Sequence, residues 1–197
     1  MRERVSGPEH PDTLAARHQV ARWTGDAGNP AAARDLLAGL LPVLERVLGP
    51  EHPDTLTARA NLASWTGLAG DPAAARDLFA GLLPVLERVL GPEHPDTLAA
   101  RHQVARWTGL AGDPAAARDL LARLLPVLER VLGPEHPRTL AARANLASLT
   151  GETGDPAGAR DLLGGLLPVL ERVLGPEHPR TLTDRANLAH WTGQSRR

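Results

Sequence analysis

The sequence predicts an all-α solenoid of antiparallel helix pairs, and three observations support this fold class. The phrase GPEHPDTL begins at Gly7 and returns at Gly49, Gly91, Gly133 and Gly175, with Asp replaced by Arg in the last two copies. The copies are therefore 42 residues apart, and a fixed period of this length indicates an array of units that pack on their neighbours. Within each unit, apolar residues recur at helical spacing between proline and glycine breaks.

The whole chain, 1–197, is predicted to be a single repeat array. Residues 1–6 resemble the remnant of a preceding second helix, and 175–197 form a half repeat with one first helix and a polar tail. Four full repeats are expected between them, at 7–48, 49–90, 91–132 and 133–174. An array cut in this register would expose apolar ends, so head-to-tail association of molecules is an expectation.

The first helix of a repeat is short and amphipathic. In the second repeat, DTLTARANLASWTG places Leu56, Leu62, Ala63 and Trp65 on one side and stops at Gly67. This pattern predicts a helix of about three turns.

The second helix follows in LAGDPAAARDLFAGLLPVLERVLG. Asp71 suits the N-cap and Pro72 the first helical position, while Gly91 and Pro92 end the helix. Its apolar residues form two adjacent stripes, Leu78, Leu82, Val85 and Val89, and Phe79, Leu83, Leu86 and Leu90. A face this wide is expected to be buried on more than one side, by a stack of helices rather than by one hairpin.

A proline stands inside every second helix, at Pro42, Pro84, Pro126 and Pro168. A mid-helix proline removes one backbone hydrogen bond and costs about 3 kcal/mol. The apolar spacing continues through each proline, so we expect a bent continuous helix rather than two shorter ones.

The phrase GPEHPDTL is interpreted as the corner between repeats. Its glycine ends one helix, and its Asp-Thr lies in the first turn of the next, where a carboxylate suits the helix dipole. Its histidines recur at His10, His52, His94, His136 and His178. Corners of stacked helices lie about 10 Å apart, too far for two histidines to share a zinc ion with ligand distances of about 2 Å. A capping role is therefore predicted, and no metal site.

The middle of the repeat resembles the tetratricopeptide repeat, whose pattern is W-x2-L-G-x2-Y followed by A-x3-F. The corresponding residues of the second repeat are Arg59, Leu62, Ala63 and Thr66, then Ala75 and Phe79. The Trp and Tyr anchors are absent, and Trp65 stands nearby instead. The longer 42-residue unit with its corner is similar to repeats of the kinesin light chain type, as in bacterial multi-repeat proteins.

This resemblance implies a right-handed superhelical solenoid. It also implies that the first helices line a concave groove that holds a peptide or a partner helix. No heptad segment that could bind a motor chain is present, so cargo transport is not carried over from kinesin light chains.

The repeats differ most in three columns of the first helix, spaced four residues apart and therefore on one face. By the resemblance, this face lines the groove. The candidate partner-binding residues are His18, Arg22, Ala60, Ser64, Leu68, His102, Arg106, Leu110, Ser148, Glu152 and His190. The alternative is neutral drift at exposed positions, where substitutions usually cost little.

Four tryptophans, Trp23, Trp65, Trp107 and Trp191, occupy one column, which holds Leu149 in the fourth repeat. The exchange for leucine favours a core position over a ligand-stacking platform, and Trp65→Ala should then cost about 3–5 kcal/mol. Two charged columns suggest ion pairing between helices. They are Arg17, Arg59, Arg101, Arg143 and Arg185 in the first helices, and Asp35, Asp77, Asp119 and Asp161 in the second.

Composition narrows the function classes. The 22 basic and 23 acidic residues give a net charge of −1, so no basic field favours nucleic acid or an anionic membrane. There is no cysteine, and no apolar run approaches a membrane span. No catalytic motif, phosphate loop or cofactor site stands out. The absence of Lys, Ile and Tyr suits a GC-rich bacterial source, although a designed consensus array fits too, and a cytoplasmic location is expected.

These observations predict a non-enzymatic protein-interaction scaffold that binds its partner on the concave face. A self-associating structural array is the alternative, and a regulatory repeat segment of a larger signalling protein is a third hypothesis.

Overall fold

The computed structural model describes residues 7–194, and over this range the chain forms α-helices and no strand. The described helices are α1 (Pro11–Asp26), α2 (Pro30–Val47), α3 (Pro53–Leu68), α4 (Pro72–Leu90), α5 (Pro95–Leu110), α6 (Pro114–Val131), α7 (Pro137–Glu152), α8 (Pro156–Val173) and α9 (Pro179–Gln194). Odd-numbered helices are the first helices of the repeats, and even-numbered helices are the second. The prediction of an all-α fold is confirmed, whereas the helix remnant predicted at 1–6 lies outside the described residues.

The chain divides into two compact units, residues 1–100 and 101–197, with the division inside α5. In the first unit, α2 packs on both α1 and α3, and α3 packs on α4. In the second unit, α7 packs on both α6 and α8, and α8 packs on α9. First helices of neighbouring repeats, α1 with α3 and α7 with α9, also touch directly.

Each first helix begins at the second proline of the GPEHP corner, and the histidine before it is the cap. The Nδ1 atom of this histidine accepts the backbone N–H two residues later at 3.1–3.2 Å, in His10, His52, His94, His136 and His178. This bond satisfies one of the free N–H groups at the helix start. The predicted capping role of the histidines is confirmed.

The second helices are capped by Asn29, Asp71, Asp113 and Asp155, whose side-chain oxygens accept the N–H three residues later at 2.8–3.2 Å. A glycine ends each of them with φ between +97° and +101°, at Gly49, Gly91, Gly133 and Gly175. Side chains disfavour this conformation, which explains the glycine. Each second helix runs without a break through its internal proline, as predicted for Pro42, Pro84, Pro126 and Pro168.

The core of each unit is built from leucines and alanines of successive helices. In the first unit, Leu14 of α1, Leu37 and Leu44 of α2 and Ala58 of α3 form one buried cluster. In the second, Leu140 of α7 packs with residues of α8. Burying such a leucine contributes about 1.5–3 kcal/mol. Since the cluster needs a third helix, a helix pair alone would not complete it.

The expectation that both apolar stripes of the second helix are covered is wrong at the ends of one stripe. Leu78 and Val89 of α4 are exposed, whereas Phe79, Leu82 and Leu86 are buried. Only part of the wide face is therefore covered by neighbouring helices.

The prediction that all four tryptophans are core residues is wrong for Trp23, which is 63% exposed. The ring of Trp65 in α3 lies against Gly25 of α1, in the space that a Cβ atom would occupy. The ring of Trp191 in α9 lies in the same way on Gly151 of α7. No first helix precedes α1 among the described residues, so Trp23 lacks such a surface.

Charged residues join a second helix to the next first helix, as predicted for the arginine column. Arg59 bonds Glu45, Arg143 bonds Glu129, and Arg185 bonds Glu171. The aspartates named as partners do not cross between helices. Asp35, Asp77, Asp119 and Asp161 bond the arginine that precedes each in its own helix.

A second set of ion pairs joins the start of a repeat to the end of the same repeat. The glutamate of the GPEHP corner receives two hydrogen bonds from an arginine near the end of the same repeat, in the pairs Glu9–Arg46, Glu51–Arg88 and Glu135–Arg172. These arginine bonds lower the pKa of each glutamate. The pairs are exposed to solvent, so they fix geometry more than they add stability.

Candidate functional site

The innermost of the three variable columns lies between neighbouring first helices. In the first unit, Nε2 of His18 on α1 is 2.8 Å from Nδ2 of Asn61 on α3. In the second unit, Nε2 of His102 on α5 is 3.0 Å from Nδ2 of Asn145 on α7. An amide nitrogen only donates, so this contact requires an unprotonated Nε2.

Two different environments surround these histidines. Burial lowers the pKa of His102 to about 4, and the positive charges of Arg106, Arg180 and Arg138 contribute to this shift. Burial also lowers the pKa of His18, but the carboxylate of Asp54 acts in the opposite direction. The difference follows from the sequence. The corner of the repeat that follows His18 carries Asp54, whereas the corner of the repeat that follows His102 carries Arg138.

The remaining members of this column are small. Ala60 is half-buried and Ala144 is buried. The column therefore offers a partner less surface than the sequence predicts, because neighbouring first helices approach each other there.

The two outer columns face solvent more fully. Arg22 and Arg106 are exposed, and one turn further along, Leu68 and Leu110 are 49% and 58% exposed. Arg22 lies 3.6 Å from the carboxylate of Asp26. The outer columns thus present guanidinium groups together with uncovered leucines.

The other members of the outer columns are polar. Ser64 is half-buried, and its hydroxyl donates to the carbonyl of Ala60 at 3.0 Å. Ser148 is half-buried and Glu152 is exposed. His190 is exposed, and its ring lies edge-on to Trp191 with centroids 4.6 Å apart.

The asparagine partners of the histidines were not among the residues predicted from sequence. Asn61 and Asn145 follow His18 and His102 by 43 residues in both cases. The signal was present in the alternation of repeats, since HQV and ANL take turns over the first four first helices. Comparing each repeat with the next one would have paired the two columns.

A cleft of about 320 Å³ opens in the first unit between α2, α3 and α4. Leu41, Leu62 and Leu82 line it, and the Glu45–Arg59 ion pair borders it. A smaller cleft of about 160 Å³ is lined by His18 together with Leu14 and Leu44. The larger cleft includes none of the predicted site residues.

Over the part of the chain that the structure describes, no three His, Asp or Glu side chains are grouped in a way that could hold a metal ion. Within the same range, no helix has the length and apolar character needed to span a membrane.

A family model of the tetratricopeptide repeat matches residues 25–80, 68–130 and 111–164. Two crystal structures of a Podosopora anserina protein of the kinesin light chain type, with nearly identical TPR-like repeats, align over 94% of this chain at 29% identity. One, of a variant with a single substitution, has a TM-score of 0.78 over 89% of that chain, and the other has 0.77 over 90%.

BtubC (BKLC) from P. vanneervenii shares the fold at 15% identity, with a TM-score of 0.77 over 93% of this chain and 73% of that one. No curated protein sequence matches the chain. The solved structures therefore support the solenoid of helix pairs expected from the 42-residue period.

Proposed function

Because this chain belongs to the tetratricopeptide repeat family, whose repeats are non-catalytic and generally mediate protein–protein interaction, we propose that it is a scaffold for a peptide or a partner helix. The partner binds the outer variable columns of the first helices, the expected concave face. From the composition we also propose that the protein is bacterial and cytoplasmic.

One observation carries the proposal: the outer variable columns of the first helices include exposed arginines and leucines that differ from repeat to repeat. Arg22 and Arg106 are exposed and are replaced in other repeats, whereas the leucine that begins the buried face is kept. Leu14, Leu56, Leu98 and Leu140 are at most 4% exposed. Exposed side chains that differ from repeat to repeat on one helical scaffold are available to recognise a partner.

The chemistry of this face suits a peptide. Arg106 presents a planar set of donors for backbone carbonyls or carboxylates, and Leu110 presents apolar surface one turn away. Arginine is one of the residue types enriched among those that dominate binding energy in interfaces.

The test is capture of binding proteins by the purified chain, compared with the double variant Arg22→Ala/Arg106→Ala. The matched control is Arg34→Ala/Arg76→Ala, which removes the same charge from α2 and α4. We expect partners to be lost by the first variant and retained by the control.

Partners retained equally by both double variants would exclude the arginines of the first helices as the contact. Loss of partners by the control alone would move the binding surface to the second helices.

Self-association is the second candidate function, and a specific observation favours it. Trp23 and Val20 of α1 are exposed by 63% and 50%, and they lie three residues apart on one helix face. Exposed apolar surface of this kind marks association sites.

A further inference from the structure

We propose that the cleft between α2, α3 and α4 is a second docking surface of this chain. Its occupant is a segment of another protein that carries an aliphatic side chain close to an arginine or lysine. The cleft has a volume of about 320 Å³ and includes no residue of the three variable columns. The inference therefore goes beyond partner binding at Arg22 and Arg106 and does not depend on it.

The interior of the cleft is apolar. Leu82 of α4 is 3% exposed, and Leu41 of α2 and Leu62 of α3, which line the same cleft, are half-buried. Leu78 of α4 lines it too and is 41% exposed. An aliphatic side chain seated among these leucines would remove their remaining surface from water, which is favourable.

Gly81 of α4 leaves room in the cleft. No atom lies within 4 Å of the position that a Cβ atom on Gly81 would take, whereas the ring of Trp65 fills that position at Gly25. Glycine weakens a helix interior, and no contact within the described part of the chain requires it here. The equivalent residue of α6 is Arg123, which is exposed, so a second helix accepts a long side chain at this position. We attribute the glycine of α4 to the space it provides.

The charges of the cleft indicate which group accompanies the aliphatic side chain. Glu45, Arg59 and Asp77 line it, so carboxylates outnumber guanidinium groups. Arg59 is bonded to Glu45 through Nε and Nη2. Arg76 bonds Oδ1 of Asp77, but the side chain of Asp77 is 67% exposed, and an exposed ion pair of this kind is weak. The carboxylate of Asp77 can therefore receive a cationic group from the partner.

The open form of the cleft favours a protein segment over a small molecule. Asp77, Leu78 and Gly81 are all exposed, whereas small-molecule sites bury about 70–90% of their ligand. A side chain that projects from a larger partner needs no such enclosure, because the rest of the contact surface lies outside the cleft.

The same residue types recur in the second unit. Residues identical to those of the cleft follow two repeats later in α6, α7 and α8, among them Leu125, Glu129, Arg143, Asp161, Leu162 and Gly165. Arg143 bonds Glu129 as in the first unit, and Leu162 is 43% exposed. No atom lies within 4 Å of the Cβ position of Gly165. We therefore expect the docking site once in each unit.

The experiment is a titration of the isotope-labelled full chain with the N-acetylated tripeptide amide Leu-Ala-Arg, followed by amide chemical shifts. We expect saturable shifts at Asp77, Leu78 and Gly81. Two matched probes, Ala-Ala-Arg and Leu-Ala-Gln, remove the aliphatic side chain and the cation one at a time. The first should bind about tenfold more weakly, and the second about two- to fivefold more weakly, because the ion pair is exposed.

The variant Gly81→Arg copies the residue of α6 and should close the cleft. Binding of Leu-Ala-Arg at Leu78 should weaken by about tenfold or more, through lost space and charge repulsion. The matched control is Gly39→Arg, at the same position of α2, because Gly39 lies outside the cleft and no atom lies within 4 Å of its Cβ position. The control should bind like the parent chain. Neither substitution should lower the unfolding midpoint, since arginine favours a helix more than glycine does.

The second unit supplies an internal check on Gly81→Arg, because its own residues are unchanged. Shifts at Leu162 should persist in this variant, and their loss would show that the substitution acts beyond the cleft and would overturn the assignment. A parent chain without saturable shifts at Leu78, or equal binding there by the parent chain and Gly81→Arg, would overturn the docking surface. Equal affinity for Leu-Ala-Gln and Leu-Ala-Arg would overturn the choice of a basic partner segment.

Discussion

Helices α1 and α5 share their first fifteen residues, PDTLAARHQVARWTG, and differ only at Asp26 and Leu110. Their surroundings are nevertheless different. Trp23 of α1 is 63% exposed, whereas Trp107 of α5 is 2% exposed. The comparison shows that the sequence of a first helix does not determine how far its side chains are buried. Their burial depends on the helices packed against it.

The physical reason lies in how the repeats divide their apolar surface. A first helix covers part of its face with its own second helix and leaves another part for the preceding repeat. Stability in such an array is a sum of intrinsic terms and contacts between neighbours. In the first unit, α3 packs on α2 of the preceding repeat, and α1 has no such neighbour among the described residues.

The largest expected difference between these helices comes from removing the tryptophans. Trp107→Ala should lower the free energy of unfolding by about 3–5 kcal/mol, because a buried ring is lost. Trp23→Ala should change it by about 0.5 kcal/mol or less, since the side chain is exposed. Urea unfolding followed by circular dichroism measures both, and similar losses for the two variants would contradict the comparison.

The histidines give the next largest effect. The pKa of His102 is lowered to about 4, so between pH 6.5 and pH 4 the unfolded chain binds a proton that the folded chain does not. The contribution of neutral His102 to the free energy of unfolding is therefore fully present above pH 6.5. About 3 kcal/mol of it is lost as the pH falls to about 4.

Unfolding at several pH values, compared between the parent chain and His102→Ala, isolates this loss. The matched variant is His18→Ala, whose effect should be smaller because Asp54 opposes the lowering of the pKa of His18. Equal pH dependence in parent and His102→Ala would show that the fold does not lower the pKa of His102.

Much of this architecture could be predicted from sequence, because caps, breaks and period are local properties. His10 before a proline and Asp71 before Pro72 specify helix starts without reference to the rest of the fold. The exposure of Trp23 could not be predicted, because it depends on which helix lies beside α1. The partner of Arg59 was missed for a related reason: Glu45 and Asp35 lie on the same helix, and only packing against α3 selects between them.

The site was less predictable than the fold. Periodicity placed His18 and Arg22 on one helix face, but it could not show that Asn61 approaches the first and leaves the second in solvent. Depth within a face depends on the distance between helices, which a repeat pattern does not contain.

Glycines at equivalent positions provide a smaller contrast. A Cβ atom on Gly25 would overlap the ring of Trp65, so Gly25→Ala should destabilise the chain by about 1–3 kcal/mol. Gly193→Ala meets no atom and should be neutral or stabilise by up to about 1 kcal/mol through helix propensity. The denaturant midpoint of Gly25→Ala should therefore lie below that of Gly193→Ala. Equal shifts of the two midpoints would contradict the finding that Trp65 fills the space beside Gly25 while the space beside Gly193 is open.

The smallest effect concerns Asp184, which stands where α3 and α7 have the buried alanines Ala58 and Ala142. Asp184 is also buried, its Oδ2 atom has no hydrogen-bond partner, and Nε of Arg180 is 3.7 Å away. Burial raises the pKa of this carboxyl, although Arg180 opposes the change. Asp184→Ala should stabilise the chain by about 1 kcal/mol at neutral pH.

The pH dependence of that gain gives its check. Because the pKa of Asp184 is raised in the fold, ionisation costs stability as the pH rises, so the gain should shrink toward pH 4. Asp184→Asn keeps the size of the side chain and should show a similar loss of pH dependence. A gain that is constant with pH would exclude the carboxylate charge as its cause.

The most direct measurement is amide hydrogen exchange in α1 and α5, compared through peptides that extend to Asp26 and to Leu110. The shared fifteen residues have the same intrinsic exchange rates, so any difference reports the surroundings alone. We expect markedly slower exchange in α5 than in α1. Equal protection of the two helices would contradict the claim that neighbouring repeats, and not the helix sequence, determine the stability of each first helix.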